Sequence, residues 1–141
     1  MKDMDNRELI RLALAARQMA YAPYSKYRVG AALLTKRGKV YQGCNIENAA
    51  YTPSNCAERT AFFKAVSEGE RGFEAIAIVG GSQDNPTDYA YPCGVCRQVM
   101  MEFCNPEEFR IITAVSEEQY MEQTLAAMLP HGFGPENLKE S

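Results

Sequence analysis

Short apolar strands alternate with amphipathic helices along most of this chain, and this order limits the folds open to it. The predicted elements are a helix behind Asp5 and Glu8 that runs towards Pro23, strands over 27–34 and 39–45, a helix over 56–67, a strand over 74–79, a helix over 95–103, a strand over 109–115 and a weaker helix over 119–128. A glycine turn at 36–38 predicts that the first two strands form a hairpin. The pattern therefore indicates a mixed sheet flanked by helices.

The chain shows no repeat, low-complexity block or linker that would divide it. Its 141 residues suffice for one sizeable core, and 46% hydrophobic with 23% charged residues is typical of a globular protein. We therefore predict a single domain over residues 1–141.

The charge pattern argues against a nucleic acid polymer as partner. The net charge is −3 and the lysines and arginines are scattered, whereas proteins that grip a phosphate backbone carry clustered basic residues. No apolar run approaches the length of a membrane span, and the polar, acidic start is unlike a signal peptide. We expect a cytoplasmic protein that acts on a small molecule.

Three cysteines are placed where chain turns become helices. Cys93 and Cys96 lie in the segment YPCGVCRQ at 91–98, behind a loop rich in Gly, Asp, Asn and Pro, and Cys56 begins the other central helix. Helices that follow strands start at the carboxyl ends of those strands, where such sheets place their ligand crevice. Three thiolates there can hold one zinc ion with an open fourth position for water, as catalytic zinc sites do. Cys44 and Cys104 are interpreted as small buried hydrophobes.

Charged neighbours of these cysteines suggest how such a site would work. Three thiolates would leave a zinc cluster about one unit negative, and Arg59 and Arg97 are placed to donate to the sulfurs and offset that charge. Glu58, two positions from Cys56, can reach a metal-bound water and carry protons. A hydrolytic site is the resulting hypothesis.

Each feature also has a simpler interpretation. A lone Cys-x-x-Cys is more often a structural zinc site or a redox pair, although a redox pair needs neither a third cysteine nor a glutamate. Glu58 alone would be a solvated carboxylate at a helix start, and Arg59 a partner of a surface acid. Three further residues, taken alone, have only structural interpretations: Asn45 and Glu47 would end a strand, and Phe133 would be an ordinary core or interface ring.

The motifs CAE at 56–58 and PCGVC at 92–96 together match the signature of zinc-dependent nucleoside deaminases. Further segments extend the match over most of the chain: YSKY at 24–27, GCNIENAAY at 43–51 and CAERTA at 56–61. On these motifs the sequence resembles the small homotetrameric cytidine deaminases.

The resemblance implies both a fold and a set of site residues. The fold would be a single-domain, three-layer α/β/α arrangement with a mixed, roughly five-stranded sheet. Zinc, one per chain, would be held by Cys56, Cys93 and Cys96, with Glu58 as proton shuttle. Asn45 and Glu47 would bind the ribose hydroxyls, Tyr27 would line the base, and Phe133 would close the pocket of a neighbouring subunit in a homotetramer.

The implied activity is hydrolysis of the exocyclic C–N bond of cytidine, and of 2′-deoxycytidine, to uridine or deoxyuridine and ammonia, in pyrimidine salvage. One alternative is a deaminase of a cytosine-containing antibiotic such as blasticidin S, which offers no simple ribose to Asn45 and Glu47. A polynucleotide-editing deaminase fits the acidic balance poorly. A non-catalytic zinc-binding interaction domain, with the fourth ligand position closed by another residue, is the rival from a different class.

Overall fold

The structure is a computed structural model that describes residues 4–139; residues 1–3 and 140–141 lie outside the described part. Its elements in chain order are helix α1 (Asn6–Arg17), strands β1 (Arg28–Thr35) and β2 (Val40–Cys44), helix α2 (Ala57–Ser67), strand β3 (Phe73–Gly81), helix α3 (Gly94–Phe103), strands β4 (Arg110–Ala114) and β5 (Tyr120–Thr124), helix α4 (Leu125–Met128) and a short 3-10 helix (Pro135–Leu138). The predicted hairpin is β1 with β2.

The five strands form one mixed sheet in the order β2-β1-β3-β4-β5. Only β3 and β4 pair in parallel among them, and the other three pairs are antiparallel. A crossover through α3 joins the two parallel strands, because parallel neighbours cannot be linked by a tight turn. The mixed sheet predicted from the sequence is confirmed.

Side chains of the central strands alternate between two apolar cores. On one face Leu33, Ile76 and Ile111 pack with residues of α2 and α3. On the other face Ala32 and Leu34 pack against α1. Because successive strand residues point to opposite faces, the near-continuous apolar runs of β1 and β3 supply both cores. The result is the expected three-layer α/β/α arrangement in a single domain.

Two glycines let helices lie unusually close to the sheet. A Cβ on Gly30 would be 2.1 Å from the carbonyl oxygen of Ala13 in α1, and one on Gly43 would be 2.4 Å from that of Ala57 in α2. Both distances are far below van der Waals contact, so only glycine permits this packing. Gly43 therefore fixes how closely the first turn of α2 approaches β2.

Two sequence-based predictions of local structure were wrong. The weak helix over 119–128 is instead strand β5 followed by the single turn α4. Strand β5 lies at the sheet edge with mostly exposed side chains, so it lacks the apolar alternation that identifies strands. Helix α1 is also shorter than its apolar pattern, and Asp5 caps it by accepting from the backbone N–H of Arg7 rather than by forming a capping box with Glu8.

Within the described residues, no helix combines the length and the apolar character needed to span a bilayer.

Candidate zinc centre and active site

The first residues of α2 and α3 meet at one edge of the sheet. Cys56 is the N-cap of α2, Cys93 is the N-cap of α3, and Cys96 lies in the first turn of α3. The Cys93 sulfur accepts from the backbone N–H of Cys96, which orients it within the cap. The sulfurs thus lie at the two helix N-termini, where the positive end of each helix dipole favours thiolate.

The three sulfurs have the spacing of a zinc site. They all lie within 4.8 Å of one another, with 3.8 Å between Cys56 and Cys93 and 3.5 Å between Cys93 and Cys96. Zinc–sulfur bonds of about 2.3 Å at a tetrahedral angle would hold sulfurs about 3.8 Å apart. The donor set therefore fits one zinc ion bound by three protein ligands, and a tetrahedral ion so held keeps one position for water or substrate.

The surroundings of the cluster favour the thiolate form of Cys56. A hydrogen bond from Cys96 is the main cause that lowers the pKa of Cys56 to about 5, and Arg59 lowers it further by donating to its sulfur at 3.3 Å. Sharing a proton with the Cys56 thiolate raises the pKa of Cys96. The Cys56 thiolate is therefore stabilised by its neighbours, and a bound cation would favour deprotonation of thiols that ligate it.

Glu58 is a buried carboxyl beside this cluster. It lies in the first turn of α2, its side chain lines the cavity described below, and the residue is 4% exposed. Burial is the main cause that raises its pKa to about 7. A carboxyl with a pKa near neutrality can both give and accept a proton, as the shuttle predicted from the sequence must.

The two arginines next to the cysteines behave differently. Arg59 donates to the Cys56 sulfur, as expected from its place one helical turn further on. The prediction that Arg97 donates to a cysteine sulfur is wrong. Its guanidinium donates to the carbonyl oxygens of Pro92 at 2.8 Å and Met128 at 2.6 Å. It therefore supports the chain just before Cys93 and ties α3 to α4.

A cavity of about 740 Å³ opens next to the sulfurs. Besides Cys56, Glu58 and Cys93, residues from four segments line it: Ser25, Tyr27, Asn45, Glu47, Tyr51, Asn55, Tyr89, Ala90, Tyr91 and Val95. Its volume suits a molecule of nucleoside size. The cavity brings together Glu58, two of the three predicted metal ligands and most of the predicted substrate-binding residues. Cys96 is buried and does not line it.

Phe133 is the predicted substrate-binding residue that does not line this cavity. Its ring is exposed, and its carbonyl oxygen accepts from the side-chain amide of Gln98 in α3. The predicted contact is with the pocket of another subunit, so its position within one chain leaves that prediction open.

Asn45 and Glu47 have structural roles in addition to any role in binding. The amide of Asn45 bridges β1 by accepting from the N–H of Val29 and donating to the carbonyl of Tyr27. The carboxylate of Glu47 accepts from the N–H groups of Tyr24 and Ser25 and from the hydroxyl of Ser25. Because an amide offers two N–H donors and a carboxylate about four acceptor sites, each side chain keeps capacity for a further hydrogen bond.

Tyr27 presents its ring to the cavity over a glycine. A Cβ on Gly80 would be 3.2 Å from that ring and 2.8 Å from the Cβ of Ala90, so the ring and Ala90 both pack onto bare backbone. Burial raises the pKa of the Tyr27 hydroxyl, which therefore stays protonated and can donate a hydrogen bond.

Some lining residues were not identified from the sequence. Ser25 supports Glu47 and also accepts from the N–H of Tyr27, and Tyr89 and Tyr91 come from the loop before α3. The turn-forming Pro23-Tyr24-Ser25 segment and the density of tyrosines before Cys93 were the available signals.

An α/β/α sheet with three cysteine thiols and a buried glutamate at two helix starts is the arrangement of the zinc-dependent deaminases. Residues 3–113 match the family described as the cytidine and deoxycytidylate deaminase zinc-binding region. The chain belongs to this family.

Individual relatives agree over nearly the whole chain. A cytidine deaminase of Sporosarcina psychrophila is 50% identical over 135 residues, which cover 96% of each chain. A cytidine deaminase of Halalkalibacterium halodurans is 47% identical over 137 residues, 97% of this chain and all of that one. The crystal structure of a cytidine deaminase from Burkholderia pseudomallei superposes with a TM-score of 0.84 at 45% identity, covering 92% of this chain and all of that one.

Removing any one of the three clustered thiols should release the metal. We expect the purified protein to contain about one zinc per chain, and Cys56→Ala, Cys93→Ala and Cys96→Ala to lose most of it, because two thiolates hold zinc far more weakly than three. Elemental analysis of folded protein measures this. Cys44→Ala is the matched control and should keep its zinc; full occupancy in a Cys93→Ala protein would contradict the ligand set.

Proposed function

We propose that this protein deaminates cytidine, and 2′-deoxycytidine, by hydrolysis to uridine or deoxyuridine and ammonia. One observation carries the proposal: a single cavity of nucleoside size is lined by two cysteines of the three-thiol cluster, a buried carboxyl, and two polar side chains with unused hydrogen-bonding capacity. The names of the relatives point to the same substrate.

Glu58 carries the protons of the reaction in this proposal. A zinc ion held by Cys56, Cys93 and Cys96 would supply an acidified water as the nucleophile for C4 of the cytosine ring. Glu58 takes one proton from that water and passes it to N3 of the ring. It then takes the second proton from the attacking oxygen, now bonded to C4, and passes it to the departing amine as the bond from C4 to the amine breaks, so the same carboxyl serves successive steps. Its burial and its pKa of about 7 suit this exchange near neutral pH.

Asn45 and Glu47 bind the sugar. A ribose hydroxyl both accepts and donates, and the free N–H of Asn45 and the free acceptor site of Glu47 offer the complementary pair. Their other hydrogen bonds hold them to β1 and to the 24–25 turn, so they are rigid before substrate arrives. Such preorganisation reduces the ordering cost of binding.

This arrangement favours a nucleoside over the alternatives. Blasticidin S lacks a simple ribose for Asn45 and Glu47. A purely structural zinc domain would need neither a buried carboxyl nor a cavity beside the metal site. We assign the reaction to pyrimidine salvage in the cytoplasm.

The test is direct: the purified protein is incubated with cytidine, and the loss of cytidine absorbance is followed together with the ammonia released. Stoichiometric uridine and ammonia are expected. A protein that binds zinc but converts neither cytidine nor 2′-deoxycytidine would contradict the proposal, and faster conversion of blasticidin S would favour the antibiotic instead.

We also propose a homotetramer in which Phe133 completes the pocket of a neighbouring subunit. The support is the exposed ring, which lines none of the cavities identified among the described residues of its own chain.

Light scattering should give four times the chain mass, and Phe133→Ala should raise the KM for cytidine about 10-fold, as expected for a lost aromatic contact. Tyr120→Ala, another exposed aromatic outside the cavity, is the matched control. A fully active monomer would contradict this prediction.

A further inference from the structure

Arg17 is a charged side chain that the chemistry does not use and that is nevertheless almost fully buried. It is the last residue of α1 and is 1% exposed. Burying a charge costs free energy unless the charge is well compensated, so a buried guanidinium needs a structural or functional reason.

Backbone carbonyls, rather than a carboxylate, compensate this charge. The guanidinium donates to the carbonyl oxygens of Arg28 at 3.1 Å, Gly81 at 2.8 Å and Asp84 at 2.9 Å, and to that of Gln83. Burial lowers the pKa of Arg17, but an arginine remains protonated in proteins. One side chain therefore joins the end of α1, the start of β1, the end of β3 and the loop that follows β3.

That loop, residues 82–93, builds one wall of the cavity. After the carbonyls held by Arg17 it folds back, with Pro86 buried 3.6 Å from where a Cβ on Gly81 would lie. Tyr89 and Tyr91 of the loop then line the cavity, and Ala90 packs against Gly80 beside the Tyr27 ring. Arg97 holds its far end through the carbonyl of Pro92.

The two ends of the loop are thus held by different arginines. Arg97 secures the end that leads into Cys93, so the zinc cluster does not depend on Arg17 alone. Arg17 secures the beginning, from which the 89–91 wall extends. A loosened beginning would displace this wall relative to Tyr27, and a displacement of about 1 Å can cost about 10²-fold in catalytic efficiency.

We propose that Arg17 is a positioning residue that sets the 89–91 wall of the cavity for substrate binding. It touches neither metal nor substrate and acts through the backbone of residues 81–84. The kinetic part of this inference rests on the proposed function, whereas the part that concerns the loop does not.

The experiment compares Arg17→Met and Arg17→Lys with the parent, and with Arg11→Ala as control. Arg11 lies on the same helix but pairs with Glu117 at the surface. In Arg17→Met we expect the KM for cytidine to rise about 10-fold or more with zinc retained, and amide hydrogen exchange in 82–91 to accelerate about 10-fold or more. Arg17→Lys keeps the charge but has fewer, differently placed donors, so it should fall between Met and parent. Arg11→Ala should match the parent in both measurements.

Both measurements are made well below the melting temperature. A merely global loss of stability would accelerate exchange in the core strands as well, whereas a loosened loop accelerates it in 82–91 alone. A parental KM or parental exchange in 82–91 of a folded Arg17→Met protein overturns the inference. If that variant fails to fold, Arg17→Lys decides by the same two criteria. If the parent does not deaminate cytidine, the proposed function fails, and the exchange rates alone then decide the inference.

Discussion

Replacement of Glu58 by glutamine should strongly lower the turnover of cytidine. One general acid–base group usually contributes about 10²–10⁴-fold to the rate. The effect should exceed this range, because the same carboxyl is assigned several proton transfers. Glutamine keeps the size and most hydrogen bonds of glutamate but cannot exchange protons. Turnover of the zinc-loaded variant under saturating cytidine is the quantity to measure.

The fold and the metal site should survive this change. Glu58 is buried with its pKa raised towards neutrality, so an uncharged side chain of the same shape suits its surroundings. Zinc content and melting temperature should stay near the parental values. Glu68→Gln, at the exposed C-terminal end of the same helix, is the matched control and should turn over cytidine within about two-fold of the parent. Turnover of Glu58→Gln within a few-fold of the parent would remove the carboxyl from the mechanism.

The metal cluster could be predicted from the sequence because its signals are local. Each cysteine stands at the start of a predicted helix, and the rule that places helix starts at the ligand edge of an α/β sheet brings Cys56 near Cys93. Arg59 follows from the same reasoning, since residues three apart in a helix share a face. The structure confirms this geometry in the sulfur spacing and in the hydrogen bond from Arg59 to Cys56.

The errors arose where tertiary contacts decide. Arg97 is adjacent to Cys96 in sequence, but successive helical residues point about 100° apart, so its side chain reaches α4 instead of the sulfurs. Strand β5 is recognisable only by its pairing with β4. No role was predicted for Arg17, which has the sequence pattern of a solvent-exposed cation at a helix C-terminus. Its burial depends on carbonyls more than 60 residues further along the chain.

Free cytosine should be a very poor substrate, with a kcat/KM about 10⁴–10⁵-fold below that of cytidine. Sites built to hydrogen-bond a hydroxyl discriminate by this amount against analogues that lack it, because their polar groups are then left unpaired. Asn45 and Glu47 keep such unused capacity in the cavity. The absence of the sugar therefore costs both the lost contacts and the desolvation of these groups.

The same contact can be removed from the protein. Glu47→Ala should lower kcat/KM for cytidine about 10–10²-fold, since a hydrogen bond to a charged group is worth about 1.5–3 kcal/mol. It should change kcat/KM for cytosine much less and leave zinc content unaltered. A ribose contact therefore appears as coupling between the two changes when both substrates are measured on parent and variant.

Two controls separate sugar binding from loop support, because Glu47 also holds the 24–25 turn. Ser25→Ala removes the hydroxyl that donates to Glu47 but keeps the carboxylate, so any loosening of the turn should slow cytidine and cytosine alike. Glu74→Ala removes an exposed carboxylate at the start of β3, the end of that strand away from Gly80 and the cavity, and should change neither rate. An equal loss for both substrates in Glu47→Ala would mean that the residue only supports the turn. The assignment of ribose to this side of the cavity would then fail, while the zinc site and Glu58 would be unaffected.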